Sequence, residues 1–189
     1  MKRIEQLTLI ASIIALSWLG MQAVHELGHA VGAWATGGQV SHVSLHPLSI
    51  SRTDLSNNPH PLAVVWAGPV IGSVLPLLLF LIVKVCRFGF VYLFRFFAAF
   101  CLIANGAYIA FGPGRGELDT GVIVALGTPR WVMIAFGVLT IPLGLYLMHG
   151  EGKHFGLGEA KGKVSRPAII FSLLVLVFLI VIELLFFGK

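Results

Sequence analysis

His25-Glu26-Leu27-Gly28-His29 lies inside an apolar run, residues 7–35, that contains no proline. Residues four apart share a helix face, so the two imidazoles can reach one metal ion. Glu26 stands ~100° around the helix from His25, near enough to hold a water that the ion activates. Ionisable side chains are costly in hydrocarbon, so three of them together in such a run predict a functional site. The bland alternative is a pair of histidines buried only to hydrogen-bond within a helix bundle.

Working outward, the composition sets the class. Of 189 residues, 57% are hydrophobic and 11% are charged, and the mean hydropathy is +0.93. A soluble domain carries about 25% charged residues. The chain is therefore expected to be an all-α polytopic membrane protein in the lipid bilayer, read as a single membrane-embedded domain over residues 1–189. Its net charge of +5 reads as loop charge at a membrane surface. No arginine-rich helix or phosphate loop is present, which argues against nucleic acid as a partner. Cys86 and Cys101 form no C-x-x-C pair and are expected to be small core residues. Lys2 and Arg3 precede the first run, but it is far longer than the ~7–15 residues of a signal-peptide core, so it is read as a retained first span.

About five transmembrane helices are predicted. The first covers residues 7–35 and ends at Gly37-Gly38. Residues 35–60 form a strand-containing loop: Val40, Val43, Leu45, Leu48 and Ile50 alternate with polar residues around Pro47, predicting a small membrane-associated β-hairpin or two edge strands. The second span covers 62–85, with Pro69 and Pro76 inside it. The third starts between Phe90 and Phe96 and reaches Phe111, with Arg95 expected to snorkel to the interface. Residues 112–130 hold a glycine-rich break and then a short, partly inserted helix over 117–126. The fourth span covers 131–148, a basic loop follows over 150–166, and the fifth covers 167–187. If the short helix does not cross, nine of the 13 Lys and Arg residues share one side. The positive-inside bias then puts the N-terminus in the cytoplasm and the histidines toward the outer half of the first span.

A hydrolytic metal site needs three protein ligands and an open position for water. With Glu26 expected as general base, seven acidic residues remain as candidates beside the histidines. Glu5 sits at the wrong end of the first span, Glu151 and Glu159 fall in the basic loop, and Glu183 near a helix end can snorkel. Asp54 is expected to be a solvated turn residue. Asp119, between the glycine-rich break and an apolar helix, is the chosen third ligand, with Glu117 the alternative. His42 and His46 read better as polar strand residues than as a second metal site.

With His25-Glu26-Leu27-Gly28-His29 on a membrane helix, Ala67-Gly68-Pro69 on a later one and Leu118-Asp119-Thr120-Gly121 after the break, the chain resembles the site-2 protease family of intramembrane zinc metalloproteases. The likeness runs from the first span to the short helix, and a minimal form without regulatory domains is expected. The resemblance implies Zn2+ bound by His25, His29 and Asp119, with Glu26 catalytic. The family's Asn-x-x-Pro element before Asp-Gly is more widely spaced here, at Asn105 and Pro113, and Thr120 precedes Gly121; Asn105 is the candidate substrate contact.

The expected activity is that of a zinc-dependent endopeptidase cleaving transmembrane or membrane-proximal segments of other proteins. The expected substrate is a transmembrane protein and the expected setting a prokaryotic plasma membrane. Its rival is a catalytically inactive relative that binds zinc or partner membrane proteins; an intact Glu26 argues against it. A transporter would carry more polar residues within its spans.

Overall fold

Helix α1 (Lys2–Ala35) runs for 34 residues without a break, ~51 Å, well beyond the ~30 Å hydrocarbon core. The structure, a computed structural model, describes residues 2–116 and 118–187. Gly37, at φ +79°, ends α1. The Gly38 N–H donates to Ala33 O at 2.7 Å, the long-range bond of a Schellman end.

Strands β1 (Gln39–Ser44) and β2 (Arg52–Asn57) pair antiparallel, with Val43 opposite Thr53 and His42 opposite Asp54. β1 stops before Pro47, which has no N–H for a ladder bond, and residues 45–51 make the turn. Asp54 is therefore a strand residue and not a turn residue; its carboxylate lies 3.3 Å from Arg52 Nε. The hairpin folds back along α1, and the Ser51 N–H donates to Gln22 Oε1 at 3.2 Å. Gln22 precedes the end of α1 by more than three turns, so the hairpin tip reaches ~20 Å back along the helix. Leu48 and Ile50 at that tip are exposed.

Among the described residues, five helices are long and apolar enough to cross a membrane: α1, α2 (Pro61–Val85), α3 (Val91–Phe111), α5 (Arg130–Met148) and the stretch beginning with α6 (Arg166–Ile182). Between α3 and α5 lies α4 (Asp119–Ala125), whose seven residues span only ~10 Å. α1 packs against α2 and α6, and α3 packs against α5 and α2. Small residues set the closest approach, as expected where lipid gives no hydrophobic drive between helices. A Cβ on Gly28 would come within 2.8 Å of Gly68 Cα, and one on Gly32 within 2.6 Å of Ala67 Cβ. Ser12 and Ser172 hydroxyls meet at 2.8 Å inside the α1–α6 contact.

One end of the bundle is held by polar contacts. Arg166 meets Glu5 at 2.8 Å and Arg95 meets Glu151 at 2.6 Å. Gln6 donates to the carbonyls of Phe155 and Gly156. These bonds gather the start of α1, the start of α3 and the 149–165 loop at one end. The hairpin and α4 lie at the other, so α4 does not cross and the five-span count holds. Arg95 is anchored by Glu151 instead of snorkelling freely. Cys101 is buried as expected, but Cys86, just past the end of α2, is exposed. Glu183 is buried as well: α6 widens into a π-helical turn, Glu183–Phe187, and Phe187 O accepts the Leu45 N–H at 3.1 Å, which draws the hairpin over the helix end.

Candidate metal centre

His25 and His29 lie one turn apart on α1, their ring centroids separated by 4.8 Å. Asp119 reaches them from the first turn of α4. Its Oδ2 is 2.9 Å from His25 Nε2 and 3.4 Å from His29 Nε2. Asp119, expected from the sequence as the third ligand, stands 90 or more positions from either histidine, and the fold brings its carboxylate to them. Glu117, the alternative, lies outside the described residues. His42 and His46 join no such group; the cluster of His25, His29 and Asp119 is the one set of three metal-ligand side chains found among the described residues.

The placement of Asp119 follows from its surroundings. Arg130 Nη2 donates to the carbonyls of Ala110 and Gly112, closing the end of α3. The chain then folds tightly onto α4, where a Cβ on Gly121 would come within 2.6 Å of the Arg115 carbonyl carbon. Ile123 packs fully buried against Val65, Ile109 and Met133, fixing α4 to its neighbours. Burial opposes charge on Asp119, but hydrogen bonds to His25 and His29 outweigh it and hold the carboxyl well below the usual carboxylate range. The carboxylate is the form that binds a metal.

Each histidine is oriented through its far nitrogen. His25 Nδ1 donates to Asn105 Oδ1 at 2.7 Å, and His29 Nδ1 donates to Val64 O at 2.9 Å. With both Nδ1 atoms committed as donors, each Nε2 faces Asp119: protonated, it donates to the carboxylate, and deprotonated, it is the tautomer a metal ligand needs. Asn105 is buried in the middle of α3, and its amide nitrogen donates to Cys101 O at 3.0 Å. The structure thus places Asn105 behind His25. Gly68 supplies the remaining space: a Cβ there would lie 2.5 Å from His29 Nε2 and 2.9 Å from His25 Nε2. Two imidazoles, one carboxylate and an open side make a donor set that suits a catalytic zinc ion.

Glu26 is buried next to the histidines. Its Oε1 accepts the Ser51 hydroxyl at 2.9 Å and its Oε2 the Thr53 hydroxyl at 2.7 Å. No sequence spacing pointed to these two hydroxyls, since the contact depends on where the hairpin folds back. The three cluster residues, Glu26, Asn105 and β2 border one cavity of about 770 Å³, which also touches Trp18 and Tyr108. Its size is within the range of small-molecule and peptide clefts.

A family model described as Peptidase M50B-like matches residues 7–112, more than half of the chain. No curated protein and no solved structure matches. The matched span contains His25, Glu26, His29, Gly68 and Asn105, and Asp119 follows shortly after its end. This match covers more than half of the chain, and the five helices among the described residues that are long and apolar enough to cross a membrane accord with it: the chain belongs to the Peptidase M50B-like family.

Proposed function

We propose that this protein is a zinc-dependent intramembrane endopeptidase that hydrolyses peptide bonds in transmembrane or membrane-proximal segments of other membrane proteins. The observation that carries the reading is the convergence of His25 Nε2, His29 Nε2 and Asp119 Oδ2 beside a buried Glu26 that borders the same cavity. His25, His29 and Asp119 would hold the zinc, which would serve as a Lewis acid toward a water and the substrate carbonyl.

The remaining work belongs to the chain. Glu26 takes a proton from the attacking water on a carboxylate oxygen and returns it to the nitrogen of the leaving amine. Asn105 and Val64 keep the imidazoles turned so that Nε2 stays available. The cavity holds a polar reaction inside an apolar bundle, where fixed dipoles act more strongly than in water. A transmembrane substrate hides its peptide groups in its own helical bonds and has to unwind before hydrolysis. The hairpin offers a strand edge on which the unwound segment can pair by β-augmentation, with residues 40–50 as the expected contact.

The experiment is substrate trapping. Membranes expressing Glu26→Gln are solubilised, the variant is captured, and co-purified polypeptides are identified. Enrichment of single-span or multi-span proteins over an Asp119→Asn control supports the reading. A binding profile identical in the two variants contradicts it.

A further inference from the structure

Two hydroxyls on the hairpin hold the carboxylate of the base. Ser51 Oγ is 2.9 Å from Glu26 Oε1, and Thr53 Oγ1 is 2.7 Å from Glu26 Oε2. Each hydroxyl has one proton, and a carboxylate only accepts, so both protons are spent on Glu26. Glu is among the side chains that lose the most rotamer freedom on ordering. Anchoring both oxygens fixes its last torsion while leaving a further lone pair on each for water or an amine. The strand that provides the hydroxyls is itself fixed: Thr53 pairs with Val43 across the hairpin, and the Ser51 N–H donates to Gln22, one turn before Glu26 on α1.

We propose that Ser51 and Thr53 are positioning residues, which hold Glu26 in the orientation needed for proton transfer and so make the seating of the hairpin on α1 a condition of catalysis. This rests on the reading of Glu26 as the general base. The two hydroxyls bond the carboxylate of Glu26 and not the metal-binding side chains, so they act through Glu26. Ser51 and Thr53 also border the cavity, so a segment seated in the cavity lies against the residues that aim the base.

The test uses the full-length protein in detergent with a single-span polypeptide that the wild type cleaves, chosen from a panel with glycine in the transmembrane helix. The double variant Ser51→Ala/Thr53→Val is expected to lose kcat by about 10- to 100-fold with KM within about 2-fold and zinc content unchanged. Thr53→Ser, which keeps the hydroxyl, is expected to restore most of the rate to a Ser51-intact protein. A double-mutant cycle reads the contact without turnover: Thr53→Val lowers Tm in the wild-type background and has little effect in a Glu26→Ala background. Equal cleavage by the double variant, loss of zinc, a change confined to KM, or an equal Tm effect in both backgrounds overturns the proposal. A wild type that cleaves nothing overturns the endopeptidase reading and this one with it. A wild type and a double variant that cleave equally overturn this one alone.

Discussion

Asn105 Oδ1 lies 2.7 Å from His25 Nδ1, and the same amide donates to Cys101 O one turn back on its own helix. The second bond fixes which end of the amide faces the histidine, so the first fixes the histidine's tautomer. An outer partner of this kind is typically worth 10- to 100-fold in metal affinity. Asn105→Leu is therefore expected to weaken zinc binding by about that factor, read by competition with a chromophoric chelator. Unchanged affinity would mean that His25 needs no partner.

Gly68 is expected to be intolerant of even one methyl group. Its added Cβ would sit 2.5 Å from His29 Nε2, in the space between ligands and helix. Overpacking of this sort costs about 1–3 kcal/mol, or roughly 10- to 100-fold in affinity if it falls on the metal site. Zinc content of purified Gly68→Ala after dialysis checks it. Gly72, where a Cβ would approach the Asn105 amide at 3.0 Å, is expected to show a smaller loss.

The gathering of basic residues at one end of the bundle predicts orientation. The exposed Cys86 lies at that end, after α2, while Cys101 is buried. If the positive-inside bias governs, Cys86 reacts with a membrane-impermeant maleimide in inverted vesicles and not in right-side-out ones. The metal centre then sits toward the outer half of the bilayer. Labelling in right-side-out vesicles alone would reverse the orientation.

Glu151 is buried against Arg95 at 2.6 Å, far from the metal centre. Removing one partner leaves a charge poorly solvated, so Glu151→Ala is expected to cost about 2–3 kcal/mol. A lowered Tm with normal zinc content is the expected result, and a lost metal would contradict the separation of the two ends.

Helices were readable because apolar runs bounded by Gly and Pro leave few other choices in lipid. Gly37 and Pro47 likewise marked the end of α1 and the limit of β1. His25, Glu26 and His29 were readable because a helix converts sequence spacing into a shared face. Asp119 was readable by scarcity, since few carboxylates were placed where irregular backbone could line a cavity. The partners of these residues were not readable. Val64 contributes a backbone carbonyl, which carries no residue signature, and Ser51 and Thr53 reach Glu26 through a hairpin whose fold-back has no spacing rule. Asn105 was singled out only through the family resemblance, as a candidate substrate contact, and the packing of α3 against α1 reveals that it faces His25. Glu183 was misread because a π-helical turn and a covering hairpin replaced the expected exposed helix end.

In the proposed mechanism, His25, His29 and Asp119 bind zinc while Glu26 moves the proton. The direct measurement is zinc content and cleavage of one transmembrane polypeptide by purified wild type and Glu26→Gln, side by side. About one zinc per chain is expected in both proteins, from one three-ligand site, with cleavage in the wild type only. Equal cleavage by Glu26→Gln, or a wild type that holds no zinc, would contradict it.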